Sequence, residues 1–269
     1  MDDFGYTKES NFENIANAIR EKNGTDNTYA PSEMAGAIEK LKVGELDFEG
    51  VYDKEQANEI NQFYKEGIEY AKEIKKNWTD TASTTNRYKY NSKLLYFPKV
   101  THNAPKSFLN YFQYSALSKI EDDCLDLPNV NAMSNWASYT PLRRIIINAP
   151  KLTNMQNIFM VMPLLEYAEI LSTIENVTNI TNAFQYCYNL ITLKIKGWRQ
   201  ANIDLADSSN LSVESIDRNI ENAIDKVDGA TDRTLTLHAT AGANWDANSK
   251  YQGEERNLLL TQKGIEVIW

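Results

Sequence analysis

Positive charge, cysteine and histidine are all scarce in this chain, and each scarcity narrows the function. Its 269 residues hold 28 lysines and arginines against 37 aspartates and glutamates, a net charge of -9, which argues against a nucleic-acid backbone or an anionic membrane surface as partner. The two histidines, His102 and His238, have no serine or cysteine nucleophile context near them, so neither reads as catalytic. Cys-x-x-Cys and His-Glu-x-x-His are absent, and the eleven glycines form neither Gly-x-Gly-x-x-Gly nor a Walker loop. Of the two cysteines, Cys124 and Cys187, the second falls where another repeat has Met162 and reads as a small buried residue. The acidic cluster Glu121, Asp122, Asp123 and Asp126 lacks the alternating Asp-x-Asp-x-Asp-Gly of a calcium loop and reads as a solvated turn. The expectation is a protein that is not an enzyme, with no catalytic residues, metal or cofactor. No run of eighteen apolar residues occurs, and Met1-Asp2-Asp3-Phe4-Gly5 has no signal-peptide character. The chain is therefore expected to be made in the cytoplasm and to leave it, if at all, by lysis.

What is present is repetition. A phrase recurs four times between Pro98 and Lys196, clearest as Pro150-Lys151-Leu152-Thr153-Asn154-Met155 against Glu175-Asn176-Val177-Thr178-Asn179-Ile180. An aromatic residue precedes a leucine by six positions in each unit: Tyr111 and Leu117, Trp136 and Leu142, Phe159 and Leu165, Phe184 and Leu190. The leucines are 25, 23 and 25 residues apart, and a period of that size signals units that must stack to bury their apolar faces. Alternating apolar positions predict short strands at Leu142 to Ile147, Leu165 to Ile170 and Leu190 to Ile195, with a short helical turn carrying each aromatic. Asn154 and Asn179, with Asn157 and Asn182, should stack in register and satisfy backbone groups at the turns. The exposed strand face, with Arg143, Arg144, Glu166, Glu169, Thr192 and Lys194, is the candidate binding surface, because stacked repeats bind along a continuous face. The surplus of 15 tyrosines points the same way, toward recognition.

The pattern Val177-Thr178-Asn179-Ile180-x-x-x-Phe184-x-x-Cys187-x-x-Leu190-x-x-Leu193-x-Ile195 resembles the leucine-rich repeat of BspA-like bacterial surface proteins. The resemblance covers roughly Leu94 to Gly197 and implies a short leucine-rich-repeat solenoid. It is weaker in the first unit, where a longer loop follows Pro98-Lys99-Val100-Thr101, and at the insertion Glu121-Asp122-Asp123.

Before the repeats, residues 11 to 42 read as an αα-hairpin with Phe12, Ile15, Ala16 and Ile19 on one face and Met34, Ile38 and Leu41 on the other helix. The string from Ile15 to Gly24 and on through Tyr29 to Ile38 is similar to a short module near the start of bacteriophage tail and minor structural proteins, which implies attachment to a particle through Ile15, Ile19, Met34 and Ile38. From Lys54 to Trp78 a helix carries Ile60, Tyr64, Gly67, Ala71, Ile74 and Trp78 at heptad spacing, as a cap on the first repeat or a short trimeric coiled-coil stalk. After Gly197, a helix from Val213 to Lys226 capped by Ser212, a strand Thr234 to Ala239 and a closing strand Gly264 to Trp269 predict a C-terminal cap. This block also resembles a unit that follows such repeats in phage and gut-bacterial proteins.

These readings give a mixed α/β fold: about four repeats of 22–25 residues at 94–197, an N-terminal module at 1–45, a helix and linker at 46–93, and a cap at 198–269. The implied function is a bacteriophage virion protein of the tail or fibre, binding other virion proteins and a host-surface receptor or glycan as a homo-oligomer, with no nucleic acid and no membrane insertion. A bacterial surface adhesin and a capsid decoration or head-fibre protein are the alternatives.

Overall fold

The computed structural model describes residues 54–76, 85–100, 106–228 and 230–269, and the chain divides into two compact units, 1–67 and 68–269. The expected hairpin, with Ile15, Ile19, Met34 and Ile38, lies outside the described residues, as do Trp78 and His102.

Helix α1 is described over Lys54–Lys76, and the expected end at Trp78 lies outside the described residues. Within the second unit its heptad positions Ala71 and Ile74 are buried, and Ile74 joins the core cluster that includes Leu94 and Phe97. The Tyr70 hydroxyl accepts a hydrogen bond from Asn91 Nδ2 at 2.8 Å. This end of the seam therefore packs on the first repeat of its own chain, which removes Ala71 and Ile74 from a trimeric stalk.

Strands β1 (Tyr96–Phe97) and β3 (Lys119–Ile120) pair in parallel, as do β2 (Lys106–Ser107) and β5 (Val130–Ala132). Four further strands, β4 (Cys124–Asp126), β6 (Arg144–Asn148), β7 (Tyr167–Ile170) and β8 (Thr192–Lys194), form a parallel sheet in that spatial order. The register sets Arg144 beside Tyr167 and Tyr167 beside Thr192, so each strand lies one repeat on from its neighbour. Side chains alternate across the strands, and Ile145, Ile147, Ala168, Ile170 and Leu193 face the core.

Two expectations need correction here. The strands start at Arg144, Tyr167 and Thr192 rather than at the leucines, because Leu165 and Leu190 close the preceding turns through bonds from their N–H groups to Met162 O (3.1 Å) and Cys187 O (3.2 Å). The segment carrying each aromatic is a run of tight turns, not a helical turn. Asn110, Asn135, Asn157 and Asn182 have φ between 52° and 54°, and the residues four positions on, Tyr114, Tyr139, Val161 and Tyr186, have φ between 56° and 63°. A left-handed residue every few positions interrupts any helix.

These turns stack as regularly as the strands. N–H groups of Asn135, Ala137 and Tyr139 donate to the carbonyls of Gln156, Ile158 and Met160, and those of Asn157, Phe159 and Val161 to Thr181, Ala183 and Gln185. The same pattern begins at Asn86, Tyr88 and Tyr90, so the stack includes residues that the sequence pattern assigns to the linker. Asparagine side chains reinforce it: Asn110 Nδ2 donates to Asn86 Oδ1 and Asn157 Nδ2 to Asn135 Oδ1, both at 2.9 Å. Asn154 and Asn179 each accept the N–H two residues on through Oδ1, at 2.9 and 3.1 Å. Between the strands and the turns runs an aromatic spine, Phe97, Phe112, Trp136, Phe159 and Phe184, with successive centroids 4.8, 5.3, 6.3 and 5.9 Å apart. Each fully buried Phe contributes roughly 1.5–3 kcal/mol.

The last strand of the stack is closed by side chains. Helix α2 (Val213–Glu221), shorter than the expected Val213 to Lys226, offers Ser215 and Asn219 one turn apart, and these bond the β8 edge at Leu193 N, Leu193 O and Ile195 N. An open strand edge is a template for further pairing, and here it is occupied. Strand β9 (Ile203–Leu205) opens the C-terminal sheet, whose order is β11-β10-β9, with β10 at Arg233–Leu237 and β11 at Ile265–Ile268. Two helices that the sequence pattern omits, α3 (Ala239–Asn248) and α4 (Gly253–Lys263), join β10 to β11. The buried Asp217 carboxylate accepts from Trp245 Nε1 (2.8 Å), Ser249 Oγ (2.6 Å) and Lys250 N (3.1 Å), fastening this segment to α2. His238 caps α3, its Nδ1 accepting from Thr240 N.

Candidate functional site

The strand face gathers the residues expected to bind. Arg143 pairs with Glu166 at 2.5 Å, Arg144 with Asp123 at 3.4 Å and Lys194 with Glu169 at 3.8 Å. Tyr167 sits between two cations, with Arg144 Cζ 3.6 Å and Lys194 Nζ 5.0 Å from its ring centroid, and its hydroxyl donates to Glu169. Thr192 lies beside Tyr167 in register. These residues lie on adjacent strands, and their charges satisfy one another across them. A charged partner would have to displace pairs already formed, and each exposed pair is worth only about 0–1 kcal/mol.

The acidic insertion is paired as well. Lys99 Nζ lies 2.8 Å from Asp122, which holds that carboxyl below the usual carboxylate range, and Lys75 lies 3.4 Å from Glu121. Among the described residues no group of three or more His, Cys, Asp or Glu side chains converges to hold a metal ion. Cys187 is buried, its thiol pushed up to about 12 by desolvation, so it is a packing residue without nucleophilic character at neutral pH.

The turn edge has a different character. Tyr90 and Tyr114 stack with centroids 5.0 Å apart and planes 12° apart, and Tyr114 stacks on Tyr139 at 4.3 Å and 21°. All three are substantially exposed, as are Tyr186 and Tyr188. The Tyr114 phenol is raised above the ordinary tyrosine range, chiefly by its hydrogen bond with Tyr139 and secondarily by desolvation. Non-glycine residues in the left-handed region cost roughly 1–2 kcal/mol each. Asparagine tolerates that conformation through its short polar side chain, whereas tyrosine and valine have no such compensation. The edge thus carries exposed rings on strained backbone held in place by the ladder beneath.

From the second turn onward the edge is also uncharged. Residues 107–118, 131–142, 152–165 and 176–193 contain no Asp, Glu, Lys or Arg. The tyrosines enter the sequence reading only as a surplus. Their common position, four residues after the turn asparagine in Asn110/Tyr114, Asn135/Tyr139 and Asn182/Tyr186, is the signal that would have placed them on one edge.

A third feature is an open groove of about 900 Å³ where Thr178, Ile180 and Thr181 face Arg199, Asp225 and Lys226 of the C-terminal segment. Apart from Arg199 its charges are committed: Lys226 pairs with Asp232 and Asp225 with Lys263, both at 2.7 Å, and the second pairing lowers the Asp225 carboxyl. The buried guanidinium of Arg233 donates to the carbonyls of Trp198, Ile224 and Lys263, which makes it a structural clamp.

No family model matches the chain, and neither a curated protein nor a solved structure matches it.

Proposed function

We propose that the chain is a non-enzymatic binding protein of a bacteriophage virion, a tail or fibre component built on a short leucine-rich-repeat solenoid. The observation that carries this reading is the regular parallel stack of repeats, which holds an exposed row of tyrosines along one edge at the spacing of the strands. Rigid rows of amphipathic aromatics on a stacked scaffold suit recognition, because their side chains lose little entropy on binding. The likeness of residues 15–38 to particle-attachment modules supplies the virion part of the proposal, and the repeat edge then faces a host surface or a neighbouring virion protein. The acidic balance and the internally paired strand face favour a partner that is neither nucleic acid nor anionic lipid.

Immunogold labelling of intact particles tests this reading. Label on tails or fibres is the expected result. Label on capsids would move the protein to the head, and label confined to bacterial envelopes would replace the virion reading with that of a surface adhesin.

A further inference from the structure

The tyrosine row is interrupted once, at Val161. Five turns share the left-handed position, occupied in order by Tyr90, Tyr114, Tyr139, Val161 and Tyr186. Consecutive members are consecutive rungs: the N–H groups of Tyr90, Tyr114, Tyr139 and Val161 donate to Gln113, Ser138, Met160 and Gln185, each the residue just before the next member, at 2.9, 3.0, 3.1 and 2.8 Å. The Tyr186 N–H, which has no further repeat to bond, donates to Asp207 Oδ2 at 2.8 Å. Tyr139 and Tyr186 are therefore two rungs apart, about 9–10 Å at the usual strand spacing. A six-membered ring placed over Val161 would have its centroid about 4.5–5 Å from each tyrosine ring, within the range that stacked rings adopt. That is also the spacing at which Tyr90, Tyr114 and Tyr139 already stack.

Valine is a costly choice there. A β-branched residue is a genuine outlier at positive φ, and Val161 has φ 56°. Tyrosine fits the same conformation in the other four turns, so the fold does not require valine. The substitution forfeits two ring contacts, keeps the backbone strain and leaves an apolar floor between two aromatic walls. Backbone strain kept without the ring contacts that accompany it in the other turns points to function.

Resting on the reading of this edge as a host-binding surface, we propose that Tyr139, Val161 and Tyr186 form a subsite for one pyranose ring of an uncharged glycan. A pyranose has apolar C–H faces for two aromatic walls and a rim of hydroxyls. The phenols of Tyr139, Tyr186 and Tyr188 and the half-buried amide of Gln185 are the polar groups nearest in sequence to meet that rim. Residues 131–142, 152–165 and 176–193 carry no Lys or Arg to pair with an acidic sugar, and the Asp207 carboxylate accepts the Tyr186 N–H. An aromatic side chain of a protein partner would fit the width but would leave the phenol and amide rim without hydroxyls to bond.

The test is affinity electrophoresis and calorimetry of the full chain with a panel of soluble polysaccharides: a glucan, a mannan, a galactan and a rhamnan as neutral polymers, and a polyuronate as the acidic one. Retardation by at least one neutral polymer is expected, unchanged in about 0.5 M sodium chloride, because exposed charge interactions are screened there and stacking is not. Val161→Tyr, which installs the residue the other turns already accept, should weaken that binding about tenfold or more by closing the gap, and Tyr186→Ala should do the same by removing a wall. Tyr114→Val opens a second gap between Tyr90 and Tyr139 and should raise the number of sugar sites per chain. Lys72→Ala on α1, away from both surfaces, is the control and should bind as the parent does.

Retardation by no neutral polymer overturns the proposal. So does binding that Val161→Tyr leaves intact while circular dichroism reports a native fold, and so does binding by the polyuronate alone. A chain that labels virions but binds no sugar sinks only this inference. A sugar-binding chain that is absent from particles sinks only the virion reading.

Discussion

The strand face and the turn edge are built on the same repeats and use opposite chemistry. The strand face places residues in ordinary extended conformation and fills its exposed positions with charges that pair across neighbouring strands, as in Arg143–Glu166 and Lys194–Glu169. The turn edge places residues in left-handed conformation, excludes charge from its second turn onward and exposes rings. The first arrangement satisfies itself and asks little of a partner. The second retains backbone strain and presents surface that water solvates poorly, so the binding proposal shifts from the face that periodicity singles out to the edge that it overlooks.

The two surfaces share one core, and Phe159 tests how far they are coupled. Its ring lies between Trp136 and Phe184 in the spine, and Phe159→Ala should cost about 3–5 kcal/mol and loosen both surfaces together. Urea unfolding followed by tyrosine fluorescence and by far-ultraviolet circular dichroism should then shift by the same amount. Separate shifts would show that the edge melts independently.

Alkali should act on the turn edge through the thiol of Cys187. Cys187 follows Tyr186, and burial lifts its thiol from 9.0 to about 12. The folded chain thus holds a proton that the unfolded chain releases first, so the stabilisation is complete below pH 9.0 and is lost as pH rises toward about 12. The loss is about 1.4 kcal/mol per pH unit in that window, and Cys187→Ala should remove this component from the dependence measured by denaturant titration.

Strain at the gap predicts a gain. Val161→Gly should raise stability by about 1 kcal/mol, since glycine adopts positive φ without the steric penalty. A loss in thermal unfolding would show that the Val161 side chain contributes packing greater than its strain. The smallest effect is expected on the strand face: Arg143→Ala should change stability by less than about 1 kcal/mol, and the change should shrink further in high salt.

Much of this architecture was legible because apolar spacing is a local property. The spine aromatics Trp136, Phe159 and Phe184 and the inward residues Ile145, Ala168 and Leu193 announce themselves by period, and so do the turn asparagines. Strand onset was displaced by two residues because Leu165 and Leu190 serve the turn and the core at once, and hydrophobic pattern does not separate those roles. Residues 86–93 escaped the repeat although Tyr88 stands six residues before Leu94, the spacing of the other units, because the polar Thr/Ser-rich run that leads to Asn86 reads as a linker. Helices α3 and α4 were missed for a related reason. In α3 only Ala241, Gly242 and Trp245 are buried, and in α4 no residue is, so neither writes a strong amphipathic stripe.

The sequence by itself determined the period, the apolar interior and the scarcity of histidine and cysteine, since these depend on residue type and spacing along the chain. Tertiary structure decided which surface is free. Stacking one repeat on the next brings Arg143 to Glu166 and Arg144 to Asp123, cancelling charges that look available in the sequence. The same stacking aligns Tyr90, Tyr114 and Tyr139 ring on ring and leaves Val161 as a gap before Tyr186. Neighbours 22 to 25 residues apart become contacts only once the strands pair, and so the edge with the strongest claim to recognition comes into being with the fold.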